Sequence, residues 1–318
     1  MIKRPLGNTD IEVSEIAFGG VEIGMPYGIG IGSEKDMIQE KEAIRLLHMA
    51  LDSGINFFDT ARMYGQSEAI MGKAFYSRRE EIIICSKCRH FRDSQGGLPS
   101  STVIERMIAE SLEESLEALN TDYIDLYMLH QADKEILQHE DIVKVFERLK
   151  KAGVVRAIGV STYTLEETDT AIESGVWEVI QLPFNLMDQR QSAMFSKARQ
   201  KGVGVVIRSV LLKGLLSDRG KNLADPLSEI ECHIQEYNEL LNRHACDLPS
   251  LAIKFALSFE EVSAVLVGID KEKYLRQALM AADGHYLDES SLMSARNLGF
   301  PKPEFIDLPY WNKMGWLT

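Results

Sequence analysis

The sequence predicts an α/β fold, a parallel (β/α)8 barrel preceded by an N-terminal β-hairpin and followed by a C-terminal tail. Three observations predict it. Eight short apolar runs alternate with segments of helical period, the pattern of parallel strands covered by helices. Eight such units in 318 residues fit a closed barrel better than an open doubly wound sheet. No Gly-x-Gly-x-x-Gly follows the first strand, which removes the main sequence argument for the open sheet.

Arg4–Val13 reads as two short strands around the turn Gly7-Asn8-Thr9-Asp10. Ile16–Gly20 is the first barrel strand. A helix at 40–53 carries Ile44, Leu47 and Leu51 on one face, with Gly54 placed to end it. The strand Ile55–Asp59, a helix at 67–77 and the strand Ile82–Lys87 follow. Thr102–Leu119 is a helix with a Thr102…Glu105 capping box and a stripe of Ile104, Ile108, Leu112 and Leu116.

Tyr123–His130 is the fourth strand, and Ile142, Val145, Phe146 and Leu149 mark a helix ended by Gly153. The strands Val155–Ser161, Val179–Pro183, Val203–Ser209 and Ala264–Gly268 complete the set, with helices at 165–174, 188–201, 250–259 and 271–282. Residues 214–249 interrupt the rhythm with a polar loop and a helical piece, Glu229–Arg243. The tail beyond Gly284 carries Phe300, Tyr310, Trp311 and Trp316, either as a strap over the barrel or as a wall of a substrate mouth. No linker or composition break divides the chain, so residues 1–318 are expected to form one barrel domain.

A formal net charge of −13 argues against nucleic-acid binding and adhesion to anionic membranes. The start of the chain lacks the apolar core of a signal peptide, and no apolar run is long enough to span a bilayer; a cytoplasmic protein is expected. Cys85 and Cys88 have redox or metal spacing, but residues three apart on a strand point to opposite faces. With no second pair at zinc spacing, no metal site is expected. Cys232 and Cys246 add no disulfide framework.

In a parallel barrel the carboxyl ends of the strands converge on one face. Asp59 ends the second strand, Lys87 the third and His130 the fourth, and Tyr64 follows Asp59 on the adjoining loop. Singly, each has a plain explanation: a turn cap, a snorkelling lysine, a satisfied core histidine, a loop packer. Barrel geometry makes them meet, which packing does not require. A tyrosine is a slow acid at neutral pH; a nearby ammonium lowers its pKa, and a buried carboxylate keeps that ammonium charged. Tyr64 would then exchange the proton, Lys87 tune it, Asp59 anchor Lys87, and His130 orient a carbonyl oxygen.

These segments resemble the aldo-keto reductase superfamily over nearly the whole chain. Phe57–Gly65 is similar to its aspartate–tyrosine motif, Ile84–Lys87 to its lysine segment and Tyr127–His130 to its histidine segment. The resemblance implies a nicotinamide dinucleotide as hydride donor. Gly20, Val21 and Asp59 would then lie against it. Ser161, Thr162 and Gln181 match the residues that hold the nicotinamide amide, with Thr162 where Asn is common. Arg208 takes the place of the aromatic that stacks on the nicotinamide. Ser209, Leu211, Lys213 and Gly214 match the loop around the pyrophosphate. Gly268, Asp270, Tyr274, Arg276 and Gln277 match the segment that receives the adenosine end. A carboxylate suits a free ribose 2′-hydroxyl and repels a 2′-phosphate, whereas Lys271, Lys273 and Arg276 offset it. Family frequency tips the expectation slightly to NADPH over NADH.

The expected activity is interconversion of a carbonyl or sugar with an alcohol, on a small-molecule substrate. A cofactor-binding regulatory protein with little turnover is the alternative, against which the complete set of four residues argues. A Schiff-base aldolase using Lys87 is a third reading, but it leaves Gln181 and Ser161-Thr162 without a purpose. Nothing in the sequence specifies an oligomeric state. Val21–Gly32 and His90–Pro99 are expected to wall the pocket, the glycines of 24–32 marking either a lid or a connector.

Overall fold

Side chains alternate across each barrel strand, and that alternation sorts the apolar residues into two layers. The computed structural model describes residues 1–316; residues 317 and 318, part of the expected single domain, lie outside the described residues. The hairpin is β1 (Lys3–Pro5) paired antiparallel with β2 (Glu12–Ser14). The barrel strands are β3 (Ile16–Gly19), β4 (Phe57–Asp59), β5 (Ile83–Lys87), β6 (Ile124–Leu129), β7 (Val155–Ser161), β8 (Val179–Pro183), β9 (Gly204–Arg208) and β10 (Val262–Gly268). Each pairs in parallel with the next, and β10 returns to β3 to close the barrel.

The inner layer holds Ala17, Phe57, Cys85, Leu126, Met128, Ala157, Val179, Val206, Ala264 and Leu266, with Leu6, Ile11 and Val13 of the hairpin as its floor. The neighbours Phe18, Phe58, Ile84, Tyr127, Ile158, Ile180, Ile207 and Val265 face the helices. Burying a side chain such as Phe57 stabilises the fold by about 2–3 kcal/mol. Asn8 N donates to Gly202 O at 2.8 Å, fastening the hairpin across the closed end.

The helices between strands are α1 (Val21–Gly24), α2 (Glu40–Asp52), α3 (Ser67–Phe75), α4 (Ser101–Leu119), α5 (Lys134–Leu137), α6 (Glu140–Lys151), α7 (Leu165–Ser174) and α8 (Phe195–Lys201). The insertion after β9 supplies α9 (Ser228–Glu236) and α10 (Asn238–His244). Then come α11 (Leu248–Leu257), α12 (Glu272–Ala281), α13 (Glu289–Asn297) and α14 (Leu308–Lys313).

Three details differ from the sequence expectation. The Thr102…Glu105 capping box does not form: α4 starts one residue earlier with Ser100 at its N-cap, and Glu105 pairs with Arg148 at 3.3 Å instead. The helix expected over 188–201 begins as a 3-10 turn, Arg190–Met194. The tail straps the insertion as well as the barrel, where Phe300 N donates to Met187 O at 2.9 Å and Leu287 N to Ser258 Oγ at 3.1 Å. His233 of α9 packs on Phe300, its Nε2 lies 2.8 Å from Leu298 O, and Lys302 pairs with Glu229 at 3.0 Å. Trp311 is fully buried, and Leu308 reaches the cavity described below. Cys85 faces the inner layer and Cys88 the outer, both as free thiols, and no metal-ligating cluster occurs among the described residues.

Candidate active site

Inside the barrel, the chain turns polar two residues beyond the apolar layer. Phe57 is followed on the same face by Asp59, Cys85 by Lys87, Met128 by His130, Val179 by Gln181 and Val206 by Arg208. Ser161 and Gly268 hold the equivalent places on β7 and β10. All of these except Lys87 line one trough of about 1210 Å³ at the carboxyl face, together with Gly20, Val21 and Tyr64. Gly20 is glycine because a Cβ there would come within 2.5 Å of Asp59 O.

Lys87 lies beneath the trough at 0% exposure. Its Nζ donates to Asp59 Oδ1 at 2.6 Å and to Thr60 O at 2.9 Å. Gln181 Nε2 donates to the same Oδ1 at 2.8 Å. Burial disfavours the ammonium, but Asp59 and then Tyr64 oppose it, and the Lys87 pKa ends above the usual lysine value. An unpaired charge this deep would be costly; the pair removes that penalty.

Tyr64 sits over this pair, its ring centroid 4.9 Å from Lys87 Nζ and edge-on to His130 at 5.3 Å. Burial raises the phenol, Lys87 lowers it and Asp59 raises it again, leaving it pushed up to about 12. The expected lowering by Lys87 is therefore present but outweighed, chiefly by burial of the phenol and further by the Asp59 carboxylate beside the ammonium. His130 is driven the other way. Burial, then Lys87, His90 and Arg208, lower it to about 2, so the imidazole is neutral. Its Nδ1 is buried without a hydrogen-bond partner, and the His90 ring stands 4.9 Å away.

Thr162 does not join the trough. It follows the inward-facing Ser161, so its side chain points to the helical layer, where its hydroxyl lies 2.8 Å from Thr168 Oγ1. Its carbonyl instead accepts from Arg208 Nη2 at 2.9 Å. Arg208 also stacks on Tyr163 at 4.1 Å, so its charge is directed to a carbonyl and a ring, while its Nε is buried without a partner.

The loop after β9 holds Ser209, Leu212 and Lys213 in left-handed backbone at φ of 59°, 47° and 56°. Non-glycine residues pay for this conformation with strain of about 1–3 kcal/mol each, which the surrounding structure must hold. Leu211, Lys213 and Gly214 line the trough with Ser209. The glycine-rich stretch after β3 is fastened to this loop: Ile29 N donates to Lys213 O at 3.1 Å, and Arg219 Nη1 to Ile29 O at 3.4 Å. Its Tyr27 and Gly28 are part of the wall.

At the far end lie Asp270, Tyr274, Arg276 and Gln277. Asp270 is 3.8 Å from Arg219, Arg276 pairs with Glu272 at 2.6 Å, and Gln277 donates to Asp247 at 2.5 Å. Glu22 and His90 lie in the stretches expected to wall the pocket without being singled out as residues, and Tyr163, Arg219 and Asp247 are further neighbours that motif reading did not reach. Nothing local marks them, since loops distant in sequence bring them here.

The trough suits an extended dinucleotide. Its lining includes Tyr64 and His130 as well as Gln277, and Lys213, Arg219, Lys273 and Arg276 supply cations to it. The orphaned Arg208 Nε marks a donor still to be satisfied.

Residues 15–295 match the model of the aldo/keto reductase family. The chain belongs to that family. It is similar to the aldo-keto reductase AKR11C1 from Bacillus halodurans in its holo form, with 28% identity, a TM-score of 0.78 and coverage of 94% of this chain and 96% of that one. It is 29% identical over 312 residues to the uncharacterized oxidoreductase YqkF of Bacillus subtilis, covering 93% of this chain and 96% of the relative. It is 25% identical over 321 residues to the NADH-specific methylglyoxal reductase of Escherichia coli, covering 92% and 97%. As an aldo/keto reductase the protein is an NAD(P)-dependent oxidoreductase of carbonyl compounds. No described helix of this aldo/keto reductase is long and apolar enough to cross a membrane.

Proposed function

We propose that residues 1–318 act as one barrel domain that interconverts an aldehyde, ketone or sugar carbonyl with its alcohol, Tyr64 exchanging the proton. The observation that carries this reading is the buried Lys87–Asp59 pair directly beneath the Tyr64 ring, with a neutral His130 edge-on to it. Bound NAD(P)H supplies the hydride. Tyr64, a phenol at neutral pH, donates its proton to the carbonyl oxygen as negative charge develops there. The Lys87 ammonium stabilises the phenolate left behind, and Asp59 with Gln181 keeps Lys87 in place. His130 offers the carbonyl oxygen the single N–H of a neutral imidazole and so orients it. Tyr27 and Tyr163 close the reacting end with aromatic surface.

Ser161, Arg208 and the Ser209–Gly214 loop would hold the nicotinamide half and the diphosphate, and Gly268–Gln277 the adenosine half. Thr162 contributes to this through its carbonyl grip on Arg208. Asp270 favours a free 2′-hydroxyl, but Arg219 offsets it and Lys273 and Arg276 stand nearby. With family frequency, NADPH is slightly preferred and NADH accepted. The aldolase reading loses support because Lys87 is enclosed and committed to Asp59 and Thr60, whereas an imine-forming lysine must reach its substrate as a neutral amine.

Titration of NADH and NADPH into the protein, with Tyr64→Phe as control, tests the proposal. Fluorescence quenching by both proteins, with carbonyl turnover lost in the variant, is the expected result. Absence of both quenching and turnover across a broad panel of carbonyls and sugars sinks it.

A further inference from the structure

Glu22 of α1 is a carboxylate in the trough that the reaction above does not use. It rests against the end of β10, where a Cβ on Gly268 would overlap its Oε1, so position 268 must be glycine while Glu22 occupies that space. Its Oε2 is buried and has no hydrogen-bond partner. The groups around it are mostly of the wrong sign to hold an anion. Asp270 follows β10 and Asp59 ends β4, both carboxylates. Arg219 is the cation that faces it, and Arg219 is drawn to Asp270. Tyr27 faces it as a neutral phenol, raised by burial. On α3, which packs against α1, Glu68 is already engaged by Arg62 and Ser86. Burial therefore raises the Glu22 carboxyl, its own backbone amide opposes, and Asp270 and Asp59 add to the rise, reaching about 8.

An anionic Glu22 would repel a diphosphate entering the same trough, and a neutral one has a proton to donate. We propose that Glu22 is a dinucleotide-positioning residue that enters the complex as the neutral carboxylic acid, its Oε2–H donated to an oxygen of the bound dinucleotide; this rests on the dinucleotide reading of the trough. No bond to carbon changes. Where free Glu22 is ionised, binding draws one proton from solvent, and release returns it.

The test is the dissociation constant of NADH and of NADPH, read by fluorescence, across about pH 6 to 10 for the full chain and for Glu22→Gln. The wild type should bind evenly at the acid end and weaken toward roughly tenfold per pH unit above about pH 8. The Gln variant, which keeps a donor and cannot ionise, should be flat and bind more tightly than the wild type at the alkaline end. NADH carries no 2′-phosphate, so its profile excludes titration of that group, near pH ~6. Calorimetry at about pH 9 in two buffers of different ionisation enthalpy should show close to one proton taken up by the wild type per dinucleotide bound. That measurement needs no variant and decides the matter if Glu22→Gln fails to fold. A pH-independent wild-type affinity, the same slope in the variant, or no proton uptake overturns the role of Glu22 while leaving the trough reading intact. Absence of binding of either dinucleotide at every pH overturns the trough reading and this inference with it.

Discussion

Gln181 donates to the very oxygen of Asp59 that receives Lys87 Nζ, at 2.8 and 2.6 Å. The family motif gives Gln181 to the nicotinamide amide; here, its amide nitrogen is the second donor on the carboxylate that anchors the lysine. Asp59 Oδ1 is thus held by one charge and one dipole, from strands on different sides of the barrel mouth.

Breaking this pair should cost more than deleting it. Lys87→Met leaves Asp59 buried without its counter-charge and should destabilise the fold by about 3–5 kcal/mol. Adding Asp59→Asn should restore part of that loss, since two neutral groups need no mutual compensation. Denaturant unfolding of the two single variants and the double variant gives the coupling directly. Simple additivity would contradict the geometry.

Reduction and oxidation should respond to pH in opposite ways. Tyr64 acts as acid in its protonated form, which persists below about pH 12, so reduction should stay level through neutral and mildly alkaline pH. As a base it must first ionise, so alcohol oxidation should climb steadily as pH rises. Initial rates in both directions over that range check the assignment, and Tyr64→Phe should lower both by roughly 10²–10⁴-fold. A reduction rate that collapses near pH 7 would place the proton on another group.

His130 bears on acid stability. Its folded pKa of about 2 lies below the unfolded value of 6.5, so the unfolded chain binds the extra proton first. The favourable contribution of neutral His130 is complete above the unfolded value and is lost as pH falls below it. His130→Asn should therefore flatten the decline in Tm between neutral and acid pH. An unchanged slope would mean that carboxylates govern that limb.

Glu22 gives the mirror image. Its folded pKa of about 8 exceeds the unfolded 4.5, so the folded chain holds the proton longer. Stability from this group is full below the unfolded value and fades as pH rises through the folded one. Glu22→Gln should raise Tm relative to wild type at about pH 8 and leave it nearly equal at acid pH. Equal curves would show that the carboxylate is solvated after all.

Asp270→Ser should shift preference toward NADPH, by roughly tenfold in the ratio of dissociation constants, since removing a carboxylate near a 2′-phosphate is worth about 1–2 kcal/mol. Binding titrations with both dinucleotides measure it. An unchanged ratio would place the 2′ position elsewhere along the trough.

Much of this arrangement was legible in the sequence because a strand's side chains alternate with a fixed step. Once Phe57, Cys85, Met128, Val179 and Val206 are recognised as inward, Asp59, Lys87, His130, Gln181 and Arg208 must share their face. The same rule, applied strictly, turns Thr162 outward, which motif matching alone missed. The sign of the Tyr64 shift was not legible, because it is a sum of burial, Lys87 and Asp59 whose winner depends on depth. Glu22 was hidden for another reason: its meaning comes from Gly268, at the opposite end of the chain. The capping box failed because α4 begins at Ser101, which puts Thr102 inside the first turn rather than at the N-cap, and Glu105 pairs with Arg148.

Closure of the barrel has a consequence for how the chain is made. Val265 stands opposite Ile16, and its amide donates to Glu15 O at 2.8 Å, so the first barrel strand waits for the last. Until residues 262–268 have left the ribosome, β3 and β9 each present a bare row of amides and carbonyls to any passing strand. A nascent chain stalled before Val262 is then an adhesive, half-rolled sheet, and one released a few residues later has no edge left to offer.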